Sequence, residues 1–158
     1  LSYRGALFYD LIKTTVMRLA FTMSVELRPD RIAAIAITPG FLRSEAMLEL
    51  FGVTEATWRE GVKKDPHFIA SESPALVGRA VAALAADRKI LEKSGQTFSS
   101  WEVAREFGLV DTDGRRPDWL AHFQRKLPAR HPGRAWMQAG LDWQDSIRKR
   151  TKSFLKRV

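Results

Sequence analysis

The chain has 158 residues, 45% hydrophobic and 28% charged, enough to bury the core of one globular domain and too apolar for a disordered chain. It holds no cysteine, which excludes disulfides and thiol chemistry, and His67, His122 and His131 are scattered too widely to set two ligands on one helix face, so no metal site is expected. The net charge of +8 is uneven: residues 1–123 carry 16 basic and 16 acidic side chains and residues 124–158 carry 10 and 2, so any electrostatic function belongs to the tail.

The chain opens on Leu1 and enters an apolar periodic segment within a few residues, as an interior cut through a longer protein would; a trimmed start would look the same. From Leu7 to Leu27 there is no Gly or Pro, and apolar residues recur at three and four positions, which predicts a long helix ended by Pro29. Its apolar residues cover more than one face, so the helix is expected to be packed on several sides. Arg18, Glu26 and Arg28 break the longest apolar run below the ~20 residues a membrane crossing needs, and no signal-type start precedes it. A soluble, cytoplasmic protein is expected.

Next, Arg31 to Thr38 is a nearly continuous apolar run closed by Pro39-Gly40, the pattern of a strand buried on both faces in a parallel sheet. Residues 41–73 mix apolar and charged side chains, which predicts short helical pieces in a lid-like loop. Ser73 as N-cap and Pro74 at the first helical position open a helix through Ala86, burying Leu76, Val77, Ala80, Val81 and Leu84. A strand is predicted over 94–99, with Gly95 allowing close backbone approach, then a helix near 101–107. Asp111 to Pro117 reads as a solvated turn, and Asp118 to His122 as a last helical turn. The body is expected to end at 123. In the tail, 124–158, Trp136, Trp143, Ile147, Phe154 and Val158 form an amphipathic helical stripe among basic residues such as Arg148, Lys149 and Arg150. Such a stripe either docks on the body or a neighbouring subunit, or lies on an anionic membrane surface or in a partner's groove; nucleic acid is not expected.

Tyr9 and Lys13 stand four apart on the first helix, so their side chains share a face. A tyrosine is a poor acid or base at neutral pH, and a fixed lysine cation nearby favours the phenolate, bringing it towards working range.

A Tyr-x-x-x-Lys helix followed by a buried strand ending in Pro-Gly resembles the short-chain dehydrogenase/reductase family. Val16, Leu19, Glu26 and Leu27 fit the continuation of the helix. Pro39-Gly40-Phe41-Leu42-Arg43-Ser44 resembles the family's Pro-Gly-x-(Val/Ile)-x-Thr loop, with Leu42 and Ser44 as conservative departures, and 73–86 and Ser94-Gly95-Gln96 resemble its next helix and last strand. The resemblance implies an α/β fold, the C-terminal half of a Rossmann-like doubly wound parallel sheet over 1–123, followed by the basic helical tail.

It also implies an alcohol–carbonyl oxidoreductase using NAD or NADP, the choice resting on residues upstream. Tyr9 would give or take the substrate proton, and Lys13 would lower its pKa and bind the cofactor ribose. Pro39 and Gly40 would shape the cofactor loop, the backbone at Leu42 would bond the nicotinamide carboxamide, and Ser44 would lie near the carboxamide or the phosphates. The first helix, 7–27, would be a homo-oligomer surface. Asp10, Leu11 and Ile12, between the pair, are bulkier than the small residues the family often has. The Gly-rich nucleotide turn and the serine partner of the tyrosine would lie before Leu1, so the alternative is a non-catalytic remnant or interaction module. Arg43 would meet a phosphate or acidic substrate, or be an exposed loop arginine without a role. Met47, Trp58 and Phe68 would line a substrate pocket or simply pack.

Overall fold

The computed structural model describes residues 6–126 together with 149 and 153, so the tail stripe lies outside the described residues. The chain is mixed α/β, mostly helical with a small parallel two-stranded sheet. In chain order the elements are α1 (Leu7–Glu26), β1 (Ala36–Thr38), α2 (Glu45–Phe51), two 3-10 helices (Trp58–Lys63 and Pro66–Ala70), α3 (Pro74–Ala86), α4 (Ile90–Lys93), β2 (Thr97–Ser99), α5 (Ser100–Phe107) and α6 (Trp119–Lys126). No helix among the described residues is long and apolar enough to cross a membrane.

Two compact units divide the chain. Among the described residues, one holds 6–36 and 88–97, and the other holds Ile37–Asp87 and Phe98–Lys126. In the first, α1 is uncapped by a side chain at its start and ends in a turn in which Ile32 N–H reaches Leu27 C=O at 3.2 Å and Arg31 takes a positive φ of 56°. That turn shortens the expected strand. Residues 32–35 lead extended into β1, with Gly95 N–H bonding Ala34 C=O at 2.7 Å and Ala36 N–H bonding Gln96 C=O at 3.1 Å. Burial on both faces does not hold: Ala34 and Ala36 are buried, while Ile35 and Ile37 are half-open and Ile32 is exposed. No second layer of described residues closes over them.

Nor is α1 packed on several sides. Only Ala20 and Ser24 are buried, and Leu7, Phe8, Leu11, Ile12, Val16, Leu19 and Met23 are exposed. Its apolar character all round comes from the sequence; covering it takes more surface than the described residues supply.

The second unit has its own core. Phe68 is fully buried, stacked on Phe51 at 4.3 Å and edge-on to Phe41 at 5.1 Å and Trp58 at 6.1 Å between centroids. Trp58 and Phe68 therefore pack rather than line an open pocket; Met47 is half-buried on α2. Leu76, Ala80 and Leu84 bury one face of α3, while Val81 is exposed. α5 starts with a capping box in which Ser99 accepts from Glu102 N–H and Glu102 accepts from Ser99 N–H, and it ends at Gly108, whose φ of 67° suits a residue without Cβ. Ser73 occupies the N-cap position of α3 as expected, but its hydroxyl donates to Asp111 instead of capping the helix.

Candidate active site

Tyr9 and Lys13 share one face of α1, with the Lys13 ammonium 5.3 Å from the centre of the Tyr9 ring. Tyr9 is 52% exposed. The segment following β1 belongs to the other unit. There Gly40 is required by a close approach, since a Cβ would lie 2.8 Å from Trp119 Cβ of α6. Ser44 is the N-cap of α2, its Oγ accepting Met47 N–H at 3.3 Å, which leaves its own proton for another acceptor.

Leu42 sits in an isolated parallel bridge with Glu72. The bonds of that bridge use its neighbours: Arg43 N–H reaches Glu72 C=O at 2.8 Å, and Glu72 N–H reaches Phe41 C=O at 2.9 Å. The Leu42 N–H and C=O therefore face the opposite edge, and neither takes a partner among the described residues. One free donor beside one free acceptor is complementary to a carboxamide.

Beneath this segment lies a buried ionic cluster. Arg43 is neither an exposed loop residue nor poised for a phosphate: it is 1% exposed. Its guanidinium bonds Glu55 through Nε at 3.1 Å and Nη2 at 2.8 Å, Ser71 C=O at 2.9 Å and Asp111 Oδ2 at 3.4 Å, and it lies over Trp58 at 4.4 Å. These contacts consume its fork. Asp111, expected in a solvated turn, is buried and accepts from the Ser73 amide at 2.8 Å, the Ser73 hydroxyl and the Thr112 amide at 2.7 Å. Burial pushes its carboxyl up, but those donors and Arg43 outweigh it and hold the group below its ordinary 3.8. Glu72 goes the other way. Burial raises it from 4.5, against the bonds from Ser100 and Gly40 that lower it; Asp111 adds to the rise, and Arg43 opposes it.

The histidines are not all scattered. His67 Nδ1 and His122 Nε2 lie 3.2 Å apart, joining the second 3-10 helix to α6. Burial pushes His122 down from 6.5, with His67, Lys126 and Arg125 acting in the same direction and Asp65 opposing. Among the described residues no group of three or more His, Asp or Glu side chains gathers that could hold a metal ion.

No family model matches the chain. Curated relatives do. It is 37% identical over 109 residues to mouse dehydrogenase/reductase SDR family member 1, covering 68% of this chain and 34% of the relative. It is 32% identical over 122 residues to the human protein of that name, covering 73% of this chain and 37% of the relative. The chain belongs to the short-chain dehydrogenase/reductase family. It spans about a third of the length of these relatives. Short-chain dehydrogenases/reductases generally use NAD or NADP, and the free Leu42 backbone edge fits the carboxamide of such a cofactor. In the sequence the family motif pointed to Tyr9, Lys13, Pro39, Gly40, Leu42 and Ser44. Glu72 and Asp111 had no such pattern; their only trace was a Ser-Glu-Ser-Pro helix start with a carboxylate just before the cap, and an Asp opening a Gly-containing turn.

Proposed function

We propose that this chain is the carboxy-terminal part of an NAD(P)-dependent oxidoreductase that interconverts an alcohol and a carbonyl compound. In this reading its sheet is the end of a Rossmann-like doubly wound parallel sheet, whose nucleotide-binding half precedes Leu1. The bound nicotinamide supplies or accepts the hydride. In the reducing direction the Tyr9 Oη gives its proton to the carbonyl oxygen, and in the oxidising direction it takes the hydroxyl proton. Lys13, four residues on, stands beside the Tyr9 ring and donates to ribose hydroxyls. Pro39 and Gly40 shape the loop, the Leu42 N–H and C=O hold the carboxamide, and the Ser44 proton reaches the carboxamide or a phosphate.

The observation that carries this reading is the pairing of Tyr9 with Lys13 on one open face of α1 in a chain of this family. The exposed apolar residues of α1 support a second copy of the protein as partner, as the oligomer of such enzymes requires. A cytoplasmic location belongs to the same proposal, with the basic tail docked on the body or a neighbouring subunit; a tail that binds a membrane surface or a protein partner belongs to the alternative, a non-catalytic interaction module.

Replacing Tyr9 by Phe in the natural gene product that contains this sequence tests it. The ring stays and the proton goes, so turnover of alcohol or carbonyl substrates should fall roughly 10²–10⁴-fold while NAD(P)H still binds. Unchanged turnover would refute the role given to Tyr9.

A further inference from the structure

We propose that Glu72 is the positioning residue of the Pro39–Ser44 segment, gripping it from the side opposite the free Leu42 backbone; the inference rests on reading that segment as the cofactor loop. Glu72 makes three bonds to it. Its Oε1 accepts the Gly40 N–H at 3.3 Å, its own N–H donates to Phe41 C=O at 2.9 Å, and its C=O accepts the Arg43 N–H at 2.8 Å. Gly40, Phe41 and Arg43 flank Leu42, so the residue meant to meet the ligand is the one Glu72 leaves free. The same Oε1 accepts the Ser100 hydroxyl at 2.5 Å, which ties the carboxyl to the start of α5 and aims it at Gly40.

The residue type argues for a role beyond filling space. Glu72 is 1% exposed, and a carboxyl is costly to bury where an apolar side chain would pack. Its elevated pKa reflects that cost. The backbone bridge alone would fix Phe41 and Arg43 whatever side chain stood at 72. Only an acceptor at the end of a side chain of this length reaches the Gly40 amide, at the turn where the segment leaves β1. Gly40 is also pressed by Trp119 from the other direction, so its peptide has two constraints. Fixing that peptide before the ligand arrives spares the ordering cost at binding.

The test uses the natural gene product containing this sequence, with NADH and NADPH as probes. Glu72→Ala should weaken cofactor binding about tenfold, the loss expected when a buried amide loses its acceptor. Its kcat at saturating cofactor should stay within about threefold, because no proton is moved by Glu72. Glu72→Gln keeps an oxygen for Gly40 and Ser100 and should bind within about threefold of wild type. If Glu72→Ala does not fold, Ser100→Ala, which only frees the carboxyl to swing, should weaken binding about threefold. A folded Glu72→Ala that binds as wild type, or one that loses kcat with unchanged affinity, overturns the inference alone, as does an unaffected Ser100→Ala. A wild-type protein that binds neither NADH nor NADPH overturns the cofactor reading and this inference with it.

Discussion

Arg43 Nη2 and Asp111 Oδ2 face each other at 3.4 Å with both side chains wholly shielded from water, 68 residues apart in the chain. Asp111 also takes the Ser73 and Thr112 amides, so it neutralises Arg43 while anchoring the start of α3. Removing Asp111 strips the buried Ser73 amide and the Thr112 amide of their acceptor and leaves Arg43 with Glu55, half-open to water, as its remaining carboxylate. Asp111→Ala should therefore lower unfolding free energy by about 3–5 kcal/mol, read from urea midpoints. The penalty should also depend on pH. Asp111 has its folded pKa depressed below 3.8, so its stabilisation is fully present above that value and is lost as pH falls through the folded pKa. Wild type and Asp111→Asn should converge in stability at the acid end; a constant difference would show that the charge of Asp111 contributes nothing.

The His67–His122 bond should be a weak point in mild acid. His122 has its folded pKa lowered from 6.5, so it is neutral in the fold, and stability is lost as pH drops from 6.5 towards the folded value while the unfolded chain takes up the proton. Two imidazolium rings at 3.2 Å would repel, with Lys126 and Arg125 adding to the positive field and Asp65 opposing it. The protection of the α6 amides against hydrogen exchange, taken relative to the intrinsic exchange rate at each pH, should fall between about pH 7 and pH 5, more than that of the α3 amides. Replacing His67 by Phe, which keeps the stacking on Phe123 at 5.2 Å, should flatten that dependence. An equal loss of protection in both helices would sink the idea.

How much was legible follows the range of each interaction. Local signals read well: Ser73-Pro74 set the start of α3 as it is observed, and the four-residue spacing paired Tyr9 with Lys13. Extent and burial read less well, because they depend on neighbours. The strand over 31–38 shortened once Arg31 entered a turn, and α1 kept its pattern without its covers. Arg43, Glu72 and Asp111 were the hardest, since a charged residue in a loop reads as solvated unless its partners, tens of residues away, are known. The deepest polar contacts of the second unit are all of this long-range kind.

Gly40 should tolerate no side chain. A Cβ there would come within 2.8 Å of Trp119 Cβ and 3.3 Å of Trp119 Cγ, near the helix backbone and far from any flexible tip. Gly40→Ala should cost roughly 1–3 kcal/mol through displacement of α6. Trp119→Ala should relieve part of that clash while losing the edge-on contact with Phe41 at 5.5 Å. The two substitutions should therefore be non-additive, the double variant being less destabilised than the sum of the singles. Strict additivity in thermal unfolding would mean that α6 does not press on Gly40.

The exposed face of α1 makes the last prediction. Phe8, Ile12, Val16, Leu19 and Met23 recur at spacings of four, four, three and four, one continuous stripe along the helix, and Phe8 is 79% exposed. Soluble monomers rarely leave so long an apolar row in water. If a second copy covers it, Val16→Glu should move the natural gene product to a smaller mass by light scattering. Stability of the separated subunit should change by no more than about 0.5 kcal/mol, because the side chain is exposed there already. Tyr9 and Lys13 are on the same helix, so activity should fall with dissociation and recover as protein concentration is raised. An unchanged mass with full activity would remove the second copy from consideration and leave the stripe to be covered by other parts of the same polypeptide.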